Sequence, residues 1–341
     1  MRTHKILLAA MVVAVLGSLS CRQILNYRSL KLAHGLPVDH PVHLSMVYMA
    51  ERCAEISEGK LRIDIYPNEQ LGREREAVEL LQVGSIAITK VSAAVLENFA
   101  PRLRVLGLPY IWKSREHQFE VLDGPVGELL LEAPSAYRLR GLCFYDAGFR
   151  SFYSTSRPIN TPDDLSGMKV RVQKSKTATD MVNILGGSAT PIDWGELYSA
   201  LQQGVVDGAE NNPPSFETSR HYEICKYYSI NEHTAVPDVL LISTRWWEIL
   251  SEQERKWLMQ AVKESVIFER KAWAEAEKKS LDVVAAAGVE VIYPDKGPFM
   301  DKLAGIFDSY KSEPELYDLI QQIQAVSPDS TVTPVNDALP E

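Results

Sequence analysis

Between Ser251 and Ala287 this chain contains neither Pro nor Gly. Ser251 and Glu254 supply a capping-box start, and Gly288 a stop. At about 1.5 Å per residue, one helix over that stretch is about 50 Å long, the length of a whole lobe. Such a helix either runs across two bodies as a spine or breaks near its Ala-rich end, and the single spanning helix is the expectation. The length of 341 residues points the same way, because single cores stop growing at about 250–300 residues.

The rest of the chain alternates helix and strand patterns. Val42, Met46, Met49, Cys53 and Ile56 recur at helical spacing as far as Gly59. Leu61, Ile63 and Ile65 then alternate with Arg62 and Asp64 as a strand does. After the turn Gln70-Leu71-Gly72, Glu74 to Val83 reads as a helix and Ile86 to Val91 as a strand. Gly141 to Asp146, Met168 to Val172, Val239 to Ser243 and Val289 to Tyr293 read as further strands. Thr161-Pro162-Asp163-Asp164 and Asp193-Trp194-Gly195-Glu196 read as capped helix starts. This rhythm defines an α/β fold with parallel or mixed sheets covered by helices.

The two ends read differently. Residues 1–23 have a cationic start (Arg2, His4, Lys5), an apolar run from Ile6 to Leu16 and then small residues. The run is short for a membrane span and fits an export signal. Cys21 follows Leu19-Ser20 as in a lipoprotein signal, but Ser18 stands where Leu is usual. Lipidation at Cys21 and ordinary cleavage both stay open. Residues 325–341 are rich in Pro, Ser, Thr and Asp and read as a flexible tail.

Catalytic and metal motifs are absent. There is no nucleophile elbow, P-loop, H-E-x-x-H or dinucleotide fingerprint. Cys53, Cys143 and Cys225 lie far apart and read as buried free thiols, and His34, His40 and His43 lack a metal-ligand spacing. No metal or cofactor is expected. The formal net charge of −9 argues against a nucleic-acid partner, while a few buried arginines can still make a cleft attractive to an anion.

Arg171 carries the chemistry. It lies in Met168-Lys169-Val170-Arg171-Val172, so the valines turn to one face of the strand and the arginine to the other. A buried guanidinium needs a partner, and its planar fork matches a carboxylate. From residue type alone, an internal Asp or Glu explains it as well as a ligand does.

The surrounding sequence resembles the solute-binding proteins of TRAP transporters, the DctP type. The resemblance rests on Gln70-Leu71-Gly72, Gly148-Phe149-Arg150, Asp163-Asp164-Leu165-Ser166-Gly167-Met168-Lys169-Val170-Arg171-Val172, Gly195 through Gly204, and Val206-Asp207-Gly208-Ala209-Glu210-Asn211. It runs from about Leu30 to Gln324. It implies a two-lobed periplasmic binding protein that encloses an organic acid between its lobes and hands it to TRAP membrane permease subunits, with a monomer expected. By position, lobe I is 30–147 plus 237–273, and lobe II is 148–236 plus 274–324. Arg171 falls on the family's carboxylate-gripping arginine, Arg150 on a second site arginine, Asn211 on the site asparagine and Trp194 on an aromatic wall. Glu74 falls where some sugar-acid binders place a hydroxyl-binding carboxylate.

Asn212, Lys90, His34 and His233 are further candidate donors. The segment Glu210 to Thr218, with Glu232-His233-Thr234, resembles sugar-acid binders, especially those of uronates. Two arginines, two asparagines and a glutamate suit one carboxylate plus several hydroxyls, so a hexuronate such as glucuronate or galacturonate is the expected ligand. A C4-dicarboxylate receptor and a periplasmic sugar-acid-processing enzyme are the alternatives.

Overall fold

Leu61 and Ile63 turn inward and Arg62 and Asp64 outward, and this strand is one edge of a five-stranded sheet. In the computed structural model residues 27–327 are described. The expected export signal, Cys21 and the tail beyond 327 lie outside them. The strands are β1 (Arg28–Ala33), β2 (Leu61–Tyr66), β3 (Ile88–Ser92), β4 (Leu139–Tyr145), β5 (Arg150–Ser154), β6 (Lys169–Val172), β7 (Ser188–Pro191), β8 (Gly208–Asn211), β9 (Tyr227–Thr234), β10 (Asp238–Ser243) and β11 (Glu290–Ile292). One sheet has the order β2-β1-β3-β10-β4 and the other β11-β9-β5-β8-β6-β7. In the first, β10 is antiparallel to both β3 and β4 while β1 pairs parallel with β2 and β3. Each sheet is the frame of one lobe.

The helices that frame the cleft are α1 (Pro41–Ile56), α2 (Glu74–Val83), α3 (Lys176–Leu185), α4 (Pro213–Thr218), α5 (Glu252–Ala286) and α6 (Pro314–Ala325). The breaker-free stretch is one unbroken helix, α5, started by the Ser251–Glu254 capping box. Its buried residues Leu258, Ala261, Val262, Ser265, Glu269 and Trp273 recur at helical spacing. Leu258, Val262 and Trp273 belong to a core cluster of the first lobe, and Val284 to one of the second. The spine is therefore buried at both ends.

The chain passes between the lobes at 146–149 and 235–237, between β4 and β5 and between β9 and β10. Gly148 sits in the first crossing at φ 55°, and a Cβ there would lie 2.8 Å from Trp273 Nε1 on the spine. Only glycine combines that backbone with that approach.

One expectation is corrected. By position, residues 274–324 fall to lobe II, but α6 packs on lobe I. Leu316, Leu319, Ile320 and Ile323 join the cluster of Val91, Phe144, Val239 and Leu241. An amphipathic helix goes to whichever apolar sheet face is still uncovered, and periodicity does not say which one that is. The 193–196 segment also differs from its reading. Asp193 makes no cap hydrogen bond and instead pairs with Arg73 and Lys174. Cys53, Cys143 and Cys225 are buried free thiols.

The crossing at 146–149 is braced by buried acids. Glu269 Oε2 accepts the Asp146 N–H at 3.0 Å, and Glu269 Oε1 is buried without a partner. Burial first, and the adjacent Asp146 second, push the Glu269 carboxyl well above its usual range. A carboxyl raised on folding contributes stability below its unfolded value and loses it as pH rises through the folded value. Glu269→Gln keeps the neutral shape without the titration. It is expected to flatten the fall in melting temperature as pH rises above the ordinary carboxylate range, measured by thermal melts, and an unchanged slope would contradict this.

Candidate functional site

Strand β6 places Val170 and Val172 in a core cluster of the second lobe, which turns Arg171 to the opposite face, towards the cleft. Arg171 is 2% exposed. Its Nε donates to the Ile192 carbonyl at 2.9 Å, and its Nη1 is buried without a partner. Among the described residues no carboxylate lies within ion-pair distance of it. Burial lowers its guanidinium from the ordinary value, the result of taking a charge out of water without neutralising it. The Trp194 ring lies 5.8 Å from its Cζ, a cation–π contact.

Arg150, at the start of β5, is also buried but neutralised. It donates from Nε and Nη2 to the Glu210 carboxylate, at 2.5 and 2.8 Å, and again from Nη2 to the Glu210 carbonyl at 2.8 Å. Its Nη1 donates to Asn211 Oδ1 at 2.6 Å. With these bonds made, one N–H of Nη1 remains to face the cleft. Burial opposes the charge on Glu210, but Arg150 overcomes it and brings the carboxyl down to about 2. Asn211 Oδ1 also accepts the Asn212 N–H at 2.9 Å. Two donors at one atom fix the amide orientation and leave Asn211 Nδ2 to donate into the cleft.

The opposite wall belongs to the first lobe. Lys90 Nζ donates to Glu74 Oε1 at 3.1 Å and to Asp238 Oδ1 at 3.0 Å. Burial opposes the charge on Lys90, but Asp238 and Glu74 outweigh it and raise its pKa. Glu74, the first residue of α2, also accepts the Ser92 N–H at 3.2 Å. The cleft between the walls encloses about 720 Å³, its open mouth included, which lies in the range of small-molecule sites, about 300–1,000 Å³. At the rim Arg73 reaches across to Asp193 at 2.8 Å and to Glu196, and Glu69 Oε1 accepts the Gly195 N–H at 3.2 Å. A Cβ on Gly195 would lie 2.3 Å from Glu69 Oε2, so a larger residue there would displace this carboxylate.

Arg171, Arg150, Asn211, Asn212, Trp194, Glu74 and Lys90 all line this one cleft. Three candidates have other tasks. Asn212 Oδ1 caps α4 through Ser215 N at 2.8 Å, and its Nδ2 donates to the Ala147 carbonyl at 2.9 Å. It ties the lobe crossing to a helix rather than offering a free amide. His34 is spent on the Leu36 N–H at 3.1 Å and on His43 at 3.0 Å, outside the cleft. His233 stacks on Phe152 at 4.3 Å and lies 3.5 Å from Glu210, behind Arg150. Sequence reasoning missed Asp238, Glu210 as the partner of Arg150, and the rim pair Arg73 and Asp193. Arg150 and Glu210 are 60 residues apart, and no spacing announces a pairing across strands.

A family model described as bacterial extracellular solute-binding protein, family 7 (DctP), matches residues 32–313. The chain belongs to this DctP family. The Salmonella typhimurium protein YiiZ is 39% identical over 286 residues, covering 83% of this chain and 88% of its own. A TRAP periplasmic solute-binding protein from Xanthobacter autotrophicus, solved with bound β-D-galacturonate, superposes with a TM-score of 0.84 at 37% identity, covering 87% of this chain and all of that one. Another, from Roseobacter denitrificans with bound β-D-glucuronate, gives 0.85 at 33% identity, covering 88% and 100%. This DctP protein is thus a two-lobed receptor of the TRAP class, and such receptors serve TRAP membrane permease subunits.

An unpaired buried guanidinium costs stability, as expected of a residue kept for a ligand. Arg171→Met retains the apolar stem and removes the charge. The melting temperature without ligand is expected to stay the same or rise. A clear fall in a thermal melt would show that Arg171 holds the fold together instead.

Proposed function

We propose that this receptor captures a hexuronate, glucuronate or galacturonate, and grips its carboxylate with Arg171. The observation that carries the reading is the buried Arg171 fork, with Nη1 unpartnered and no carboxylate among the described residues to neutralise it. A ligand carboxylate supplies both the charge and the acceptors. The remaining Arg150 N–H and Asn211 Nδ2 are placed to share it, and Trp194 to cover one face of the ligand. Glu74 and Asp238 provide acceptors for hydroxyls on the facing wall. The uronate-bound structures from Xanthobacter autotrophicus and Roseobacter denitrificans support the same ligand class.

The work is binding and delivery in the periplasm, without turnover. In the cleft Glu74 and Asp238 are tied to Lys90, and Asp193 to Arg73, while Glu210 behind it is tied to Arg150. No catalytic motif accompanies them in the sequence. Galacturonate incubated with the protein is expected to be recovered unchanged by NMR.

A thermal-shift panel tests the ligand. At about 100 times its Kd, a bound uronate adds about 2.7 kcal/mol to the folded state. Glucuronate or galacturonate is expected to raise the melting temperature clearly and succinate is not; the reverse pattern would end the reading. Arg171→Lys keeps the charge but loses the fork, and is expected to weaken uronate binding by more than about tenfold in calorimetry. Near-wild-type affinity in that variant would contradict the role given to Arg171.

A further inference from the structure

The cleft is electrically lopsided. On one wall, Arg171 is a cation with no carboxylate partner among the described residues, beside the self-neutralised pair of Arg150 and Glu210. On the other, a single ammonium, Lys90, lies between two carboxylates, Glu74 and Asp238, at 3.1 and 3.0 Å. That group of three carries one excess negative charge. The cations nearest the mouth do not offset it, because Arg73 and Lys174 are balanced by two carboxylates, Asp193 and Glu196.

The group is also fixed in place. Asp238 stands directly opposite Ser92 in the β3–β10 ladder, and Lys90 opposite Leu240, so Lys90 and Asp238 are diagonal neighbours across two strands. Glu74 Oε1 takes both the Lys90 ammonium and the Ser92 N–H. Glu74 Oε2 and Asp238 Oδ2 accept no hydrogen bond among the described residues, and both side chains line the cleft. Two acceptor oxygens on a negative wall accept hydrogen bonds from hydroxyls. A carboxylate brings no proton to donate and adds a like charge.

We infer that Glu74 and Asp238, positioned by Lys90, make the receptor selective for sugar acids with a single carboxylate, so that it rejects aldarates, the doubly oxidised sugar acids, as well as short dicarboxylates. The inference rests on the reading that Arg171 holds the first carboxylate. Like charges a few ångström apart in a protein-like dielectric discriminate on the order of 100-fold.

The test is isothermal calorimetry with galacturonate and galactarate at pH 7.5 on the wild-type protein, Glu74→Gln and Asp238→Asn, with thermal melts confirming that each variant folds. The readout is the ratio of the two dissociation constants, so a general loss of affinity in a variant does not mimic the effect. Wild type is expected to favour galacturonate by about 100-fold, and each neutralised variant to shrink that preference by at least about tenfold. Equal wild-type affinity for the two acids would overturn the inference and leave the uronate reading intact. So would a preference that neither substitution reduces. If galacturonate does not bind at all, the uronate reading falls and this inference falls with it.

Discussion

A guanidinium buried with no carboxylate beside it among the described residues is the constraint around which this receptor is organised. A charge removed from water and left unpaired is unfavourable, and the cost is recovered when an oppositely charged group arrives with matching geometry. Arg171 is in that position because Val170 and Val172 are needed by the core behind it. Its neighbour Arg150 is already balanced by Glu210, so the attraction for an anion is concentrated at a single point. Trp194 and the Ile192 carbonyl hold the guanidinium in place without neutralising it.

The two-lobed frame turns that local imbalance into capture. Arg171 belongs to one lobe and the facing Glu74–Lys90–Asp238 group to the other, so the site is built from both. A ligand that bridges both walls stabilises the closed arrangement by its differential contacts with it. Rim contacts between Arg73 and Asp193, and between Glu69 and Gly195, join the same two lobes. The spine helix α5 and the Gly148 crossing join the lobes on the side where Asp146 and Glu269 are buried close together.

Much of this was legible in the sequence where a single local rule governs. The absence of Pro and Gly showed α5, strand alternation showed which way Arg171 turns, and linked motifs brought Arg150, Asn211, Trp194 and Glu74 to one cleft. Long-range pairing was not legible. Nothing in the chain says that Glu210 neutralises Arg150, that Asp238 shares Lys90 with Glu74, or that α6 recrosses to the first sheet. Asn212, His34 and His233 have the right chemistry for a ligand, yet packing spends their polar atoms on a helix cap, a histidine pair and a support for Glu210. Residue type states what a side chain can do, and only the fold decides which atoms are left free to do it.

The most direct measurement is a crystal structure of the receptor with galacturonate. The expected result is a closed cleft in which both carboxylate oxygens lie about 2.7–2.9 Å from Arg171 nitrogens, the spacing of charge-assisted hydrogen bonds, with hydroxyls turned towards Glu74 and Asp238. A bound acid whose carboxylate rests elsewhere, with Arg171 paired to a protein carboxylate, would contradict the role of the unpaired guanidinium.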